Sequence, residues 1–338
     1  MSAPHKGAGE DRFRILSLDG GGIRGVYTAS VLATIEEWAN VPLVDHFDLI
    51  AGTSTGGIIA IGLGLGLTAR EMLKFYEEEG PKIFPITGPL SSATRTWKWW
   101  RKPKYDAKPL DQALREVFHD RRLGESKCRL VIPSFDPVAT EVHVFKTAHH
   151  PQFRQDHLQS AVDVARATSA APTYFESHVM SDGMRFLDGG LWANCPSTVA
   201  LLEAIAVLDI PPASIDLLRV GTTTAPQCYL EQSKGGGVKN YVTSIKDLLL
   251  GAQEAAAWSH TRLLTRDTAM LINHAVGPAD TKLDDARSIE RLRQLGAHDG
   301  RHSAPAVAAR FLLSPVRPFT PAIPLSPSIP ALLGKHLT

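Results

Sequence analysis

The first 66 positions alternate two apolar rhythms. Residues 13–18, Phe-Arg-Ile-Leu-Ser-Leu, form a short apolar run of strand length. Residues 25–38 then place Tyr27, Val31, Ile35 and Trp38 at i, i+4, i+8 and i+11. That spacing predicts a helix with one stripe turned to a sheet. Strand and helix repeat at 47–51 and 57–66, giving β-α-β-α, the pattern of a parallel sheet covered by helices.

The alternation continues. Helices are expected at 68–80, 109–119, 158–169 and 197–208, and strands at 128–135, 142–146, 186–188 and 215–220. Beyond about residue 240 no strand pattern returns. Segments 241–266, 284–295 and 304–313 predict a helical layer over the α/β body. Prolines 315, 318, 321, 324, 327 and 330 then recur at every third position, the repeat of polyproline II, and predict a passive extended tail. The organisation expected is a disordered lead-in at 1–12, an α/β domain at 13–225, helices packed on it at 226–313, and the tail at 314–338.

Composition narrows the partners. The 36 basic and 35 acidic residues leave a net charge of +1, so a DNA or RNA polymer is not an expected ligand. Cys128, Cys195 and Cys228 match no zinc spacing and offer no even disulfide framework, which suits a reducing compartment. Neither the polar first dozen residues nor the apolar stretch 58–67 reads as a signal peptide or a membrane span. A cytoplasmic protein is expected. One segment departs from the average: residues 94–105 hold Trp97, Lys98, Trp99, Trp100, Arg101 and Lys102 and no acid. Tryptophan beside cations suits a bilayer interface, and it equally suits a loop whose rings pack on the body.

Two glycine-rich turns carry the candidate chemistry. Gly52-Thr-Ser-Thr-Gly56 sits between a strand and a helix, as a nucleophile elbow does, with Ser54 at its tip. Asp19-Gly-Gly-Gly-Ile-Arg-Gly25 lies between the preceding strand and helix. Gly20, Gly22 and Gly25 satisfy a dinucleotide fingerprint, but the second strand does not end in the acid that would hold a ribose. The same glycines can instead present backbone N–H groups to an oxyanion, with Arg24 adding a nearby charge. Thirteen histidines are present, none in a distinctive strand-end context. Asp188 is different, because it closes an apolar strand and precedes Gly189 and Gly190. As a base toward serine it needs burial to raise its proton affinity, whereas a plain Asp-Gly turn needs nothing.

These three motifs, in this order, resemble the signatures of patatin-like phospholipases. Ala170-Ala171-Pro172 and Leu191-Trp-Ala-Asn-Cys-Pro196 match as well, and the resemblance spans roughly residues 13–225. It implies a three-layer α/β fold with a central, largely parallel sheet. It also implies phospholipase A or lysophospholipase activity on membrane phospholipids, with neither metal nor cofactor. Carried over, Ser54 is the nucleophile, Asp188 the base, Gly20, Gly21 and Gly22 the oxyanion hole, and Gly52 and Gly56 the elbow glycines. Some bacterial members resemble anti-phage effectors switched on by a cyclic oligonucleotide. That implies such an activator here, with peripheral membrane contact and an oligomer left open. The Lys234-Gly-Gly-Gly-Val-Lys239 loop and the tryptophan segment are compatible with such control. Three rivals stand beside this reading: a nucleotide-binding switch, a storage or scaffold protein, and a histidine-containing triad enzyme.

Overall fold

A computed structural model describes residues 12–85, 102–224, 245–277 and 282–325. In chain order the elements that build the site are β1 (Phe13–Leu18), α1 (Gly25–Ala39), β2 (Leu49–Gly52), α2 (Thr55–Gly64), α3 (Ala69–Ile83) and α4 (Lys108–Phe118). There follow β3 (Arg129–Asp136), β4 (Glu141–Lys146), α5 (Ala161–Thr168), β5 (His178–Val179), β6 (Arg185–Asp188), α6 (Gly190–Ala193) and α7 (Ser197–Leu202). The last are β7 (Ile215–Val220), α8 (Ile245–Leu264), β8 (Met270–Ile272) and α9 (Ile289–Phe311).

The eight strands form one mixed sheet in the order β5-β6-β3-β2-β1-β7-β8, with β4 also paired to β3. β3, β2, β1, β7 and β8 run parallel. β4 and β6 pair antiparallel with β3, and β5 with β6.

Side-chain alternation sorts each central strand between two cores. Leu16 and Leu18 of β1, Ile50 of β2, Leu130 and Ile132 of β3 and Leu218 and Val220 of β7 enter the larger core with α1, α2 and α3. Their neighbours Phe13, Ile15, Leu49, Ala51, Val131, Ile215 and Leu217 enter the other core, beneath α7 and Trp258 of α8. Both faces are covered, so the strands read as nearly continuous apolar runs.

Four expectations are corrected. A strand does return after residue 240, because Met270–Ile272 pairs parallel with Leu218–Val220. It spans three residues, too few to display a period. The segments 284–295 and 304–313 are not two helices: Ile289–Phe311 is one helix of 23 residues, with Pro305 inside it. It packs along α1. Cβ atoms added at Gly296 and Gly300 would lie 2.5 Å from the Tyr27 carbonyl oxygen and 2.9 Å from that of Val31. The glycines that look like breaks therefore permit close helix contact. Trp38 does not join the α1 stripe and is 53% exposed, while α1 is otherwise buried over most of its length. The helix expected over 197–208 turns into a π-helix at Glu203–Val207. This brings Glu203 to His149 Nε2 at 2.9 Å and to Lys146 Nζ at 2.6 Å.

The described part of the tail follows the body. Val316 donates its N–H to the Asp45 carbonyl at 2.8 Å, and Ala322 to that of Ala148 at 2.7 Å. The lead-in apart from Arg12, the tryptophan segment up to Arg101, the lysine-flanked glycine loop and Pro327 and Pro330 lie outside the described residues.

Candidate active site

Sheet topology, rather than sequence proximity, joins Ser54 to Asp188. β2 pairs with β3 along residues 129–131 and ends at Gly52. Val131 faces both β2 and β4, and Ser134 faces both β4 and β6, so β2 and β6 share one edge of β3. Where β2 stops, β6 takes over that edge in the opposite direction. The last residue of β6, Asp188, therefore arrives beside the turn that leaves β2.

That turn is strained. Ser54 adopts φ 54° and ψ −121°, a region that L-residues other than glycine avoid. Its N–H donates to Thr168 Oγ1 at 3.1 Å, while the Thr168 hydroxyl donates to the Pro133 carbonyl at 2.6 Å. Gly56 is needed because a Cβ there would lie 2.3 Å from the Leu18 carbonyl oxygen and 2.7 Å from that of Asp19. We expect Gly56→Ala to lift α2 from β1 and to cost about 1–3 kcal/mol by urea denaturation.

Ser54 Oγ donates to Asp188 Oδ2 at 2.7 Å, and Gly190 N–H donates to Asp188 Oδ1 at 2.7 Å. Both side chains are buried. Burial pushes the Asp188 carboxyl up to about 6, against the opposing pull of the Gly190 N–H and the Ser54 hydroxyl. Ser54 has the hydroxyl–carboxylate contact that a nucleophile and its base require.

The glycine turn of β1 lies alongside, and each of its peptide planes is held. Gly20 donates its N–H to the Asn194 carbonyl at 2.9 Å. The Gly20 carbonyl accepts from Thr222 Oγ1 at 3.0 Å and Asn194 Nδ2 at 3.2 Å. The Gly21 carbonyl accepts from Arg24 N–H at 3.2 Å and Arg24 Nε at 3.4 Å. Ile23 N–H donates to the Leu283 carbonyl at 2.8 Å. Among the described residues, Gly21 and Gly22 have no hydrogen-bond partner for their N–H groups. Gly22 has φ +58° and Gly21 presses on Thr222, so both positions need glycine. The Gly20 N–H is thus taken up within the fold, and among the described residues the N–H groups left to a ligand are those of Gly21 and Gly22.

Arg24 holds this turn rather than projecting freely, since its Nη1 also donates to the Thr223 carbonyl at 3.1 Å. Asp19, just ahead of the glycines, is paired with buried Arg219 at 2.6 Å.

Ser54, Asp188 and Gly20 to Gly22 line a cleft of about 410 Å³, of a size that suits small organic ligands. Its lining is largely apolar, with Ile58, Phe75, Ile83, Phe84, Leu110, Phe175, Leu249 and Leu250 among it. No histidine lines it. His149 is occupied by Glu203 and Thr147, His178 by Asp163, and His274 by Asp299, while His260 is exposed on α8. Among the described residues no cluster of His, Cys, Asp or Glu could hold a metal ion.

The profile of the patatin-like phospholipase family matches residues 16–201, more than half of the chain and the stretch that carries both glycine turns and Asp188. The chain belongs to the patatin-like phospholipase family. It is accordingly a hydrolase of carboxylic esters. A cGAMP-activated phospholipase of Pseudomonas aeruginosa is 34% identical, over 90% of this chain and 92% of its own length. One of Vibrio cholerae is 36% identical, over 77% and 79%. Patatin-like protein 2 of Arabidopsis thaliana is 33% identical, over 80% and 70%.

Three contributors to this patatin-like site were not singled out from the sequence. Thr168 and Asn194 lie in matched or adjacent segments but carry no signal for a role. Leu283 lies 229 residues beyond Ser54 in a stretch with no motif. No helix among the described residues is long and apolar enough to cross a membrane.

Proposed function

We propose that this family member is a lipid acyl hydrolase that cleaves phospholipid esters through a Ser54–Asp188 dyad. The 2.7 Å contact between Ser54 Oγ and Asp188 Oδ2, in a largely apolar cleft, carries the reading. An acyl chain lies along the cleft with its ester carbonyl at Ser54. Asp188 accepts the hydroxyl proton as Ser54 Oγ attacks, and the Gly21 and Gly22 N–H groups stabilise the tetrahedral oxyanion. Collapse expels the alcohol, which takes the proton back from Asp188. Water, deprotonated by Asp188, then attacks the acyl-enzyme, and collapse releases the fatty acid as Ser54 Oγ takes that proton back from Asp188.

The base must be ionised to act, and burial sets where it ionises. We expect kcat/KM for a p-nitrophenyl ester to rise tenfold per pH unit below about 6 and to level off above about 7. A stopped pH series checks this, and in Asp188→Asn the rising limb should vanish.

The activator is a cyclic dinucleotide of the cGAMP type, a reading supported by relatives of that description that align over most of the chain. A role in anti-phage defence rests on the same support. Fatty acid release from phospholipid vesicles, with and without cGAMP, tests the activator and the lipid substrate. Release only with the nucleotide is expected. Release without it would remove the activator, and ester hydrolysis confined to water-soluble substrates would remove the lipid.

A further inference from the structure

We propose that Asp284 is a positioning residue for the oxyanion turn, acting through Leu283. This rests on the hydrolase reading above. The Gly20–Gly21 plane is held by Thr222 and Asn194, and the Gly21–Gly22 plane by Arg24. The plane that follows, Gly22–Ile23, is held by the Leu283 carbonyl. A Cβ on Gly22 would stand 2.2 Å from that same oxygen, so residue 283 lies directly on the turn and lines the cleft.

What keeps Leu283 there is its neighbour. The Asp284 carboxylate is only 10% exposed and pairs with Lys104 Nζ, while Tyr105 OH donates to Asp284 Oδ2 at 2.7 Å. Lys104 and Tyr105 are themselves fixed to the cleft wall. Their N–H groups donate to the Thr173 and Tyr174 carbonyls, each at 2.9 Å. The Tyr105 ring also packs against Phe84 and Phe175 of the same wall. One buried carboxylate therefore ties its own segment to residues 104–105, which the 173–174 backbone in turn holds, and the nearest thing it positions is the peptide beside the two N–H groups that face the ester.

A tie of this kind acts on the transition state more than on substrate binding. The acyl chain contacts apolar walls that stay in place, whereas the oxyanion requires N–H groups aimed to within a fraction of an ångström. Asp284→Asn keeps the size and weakens the pairing with Lys104. Tyr105→Phe removes the hydroxyl that donates to Asp284. Asp285→Asn serves as the control, because that carboxylate caps the next turn by accepting from Arg287.

The experiment measures hydrolysis of p-nitrophenyl butyrate together with binding of two probes. An alkyl trifluoromethyl ketone adds Ser54 and presents an oxyanion, while the matching methyl ketone occupies the cleft without adding. In Asp284→Asn we expect kcat to fall about 10- to 100-fold and the trifluoromethyl ketone to weaken by a similar factor. KM and methyl ketone affinity should stay within about 2-fold. Tyr105→Phe should shift the same ratio in the same direction by less, and Asp285→Asn should match wild type. An unchanged ratio of the two affinities in Asp284→Asn overturns the proposal. If that variant does not fold, an unchanged ratio in Tyr105→Phe overturns it. A wild-type protein that hydrolyses no ester and binds neither ketone would instead refute the hydrolase reading itself.

Discussion

Asp188→Asn is expected to lower kcat about 10³- to 10⁵-fold and, at neutral pH, to make the protein more stable. The two effects have one cause. Burial holds the Asp188 carboxyl near 6 in the folded chain, above the ordinary aspartate value of 3.8. Folding therefore favours the protonated form, so this group's contribution to stability falls as pH rises from about 4 to about 6. Above that window the folded protein carries an unfavourable charge worth up to about 3 kcal/mol, which asparagine removes. Asparagine can still accept the Gly190 N–H and meet Ser54 Oγ, but it cannot take a proton. Ser54→Ala should cost about 10⁴- to 10⁶-fold, and the double variant should be no worse than the poorer single one, since the two groups act as a unit. Ester hydrolysis and urea midpoints at about pH 8 and about pH 4 check both effects. Losses that multiply would mean that the two residues act separately.

Arg219→Met is expected to destabilise the fold by about 3–5 kcal/mol. Arg219 is buried and donates from Nε and Nη2 to Asp19, the residue that leads into the glycine turn. Its side chain also lies 4.0 Å from Glu254 Oε2. Removing the guanidinium strands the Asp19 carboxylate in a dry site with a second carboxylate nearby. Burial already raises the Glu254 carboxyl, and the Asp19 charge raises it further. Asp19→Leu combined with Arg219→Met should recover much of the loss, because an apolar pair leaves no charge unpaired. Urea midpoints for the two singles and the double measure this. Equal stability of Arg219→Met and wild type would mean the pair contributes nothing to holding the turn.

What was readable in the sequence and what was not divide along a physical line. Strand 13–18 and strand 215–220 were legible to the residue, because burial on both faces leaves an apolar run with sharp ends. The elbow and the glycine turn were legible because close backbone approach admits only glycine there. The Ser54–Asp188 contact was not, since it depends on β6 replacing β2 along one edge of β3, and nothing in residues 186–188 names that edge. The strand-end acid before two glycines marked Asp188 as a candidate, and resemblance assigned it as the partner. That the Gly20 N–H is not free for an oxyanion follows from an Asn194 carbonyl 174 residues away. The single α9 helix was hidden by Gly296 and Gly300, which fall in the gap between the two expected helices but allow close packing on α1.

The central claim, that Ser54 is acylated and Asp188 makes it nucleophilic, has one direct measurement. The protein is treated with a fluorophosphonate probe and the adduct mapped by mass spectrometry, in wild type and in Asp188→Asn. We predict a single phosphonyl adduct on Ser54 in wild type, with ester hydrolysis lost in step, and labelling slowed about 10³-fold or more in Asp188→Asn. An inactivated protein whose adduct lies on any other residue, or equally fast labelling of Ser54 without the Asp188 carboxylate, would contradict it.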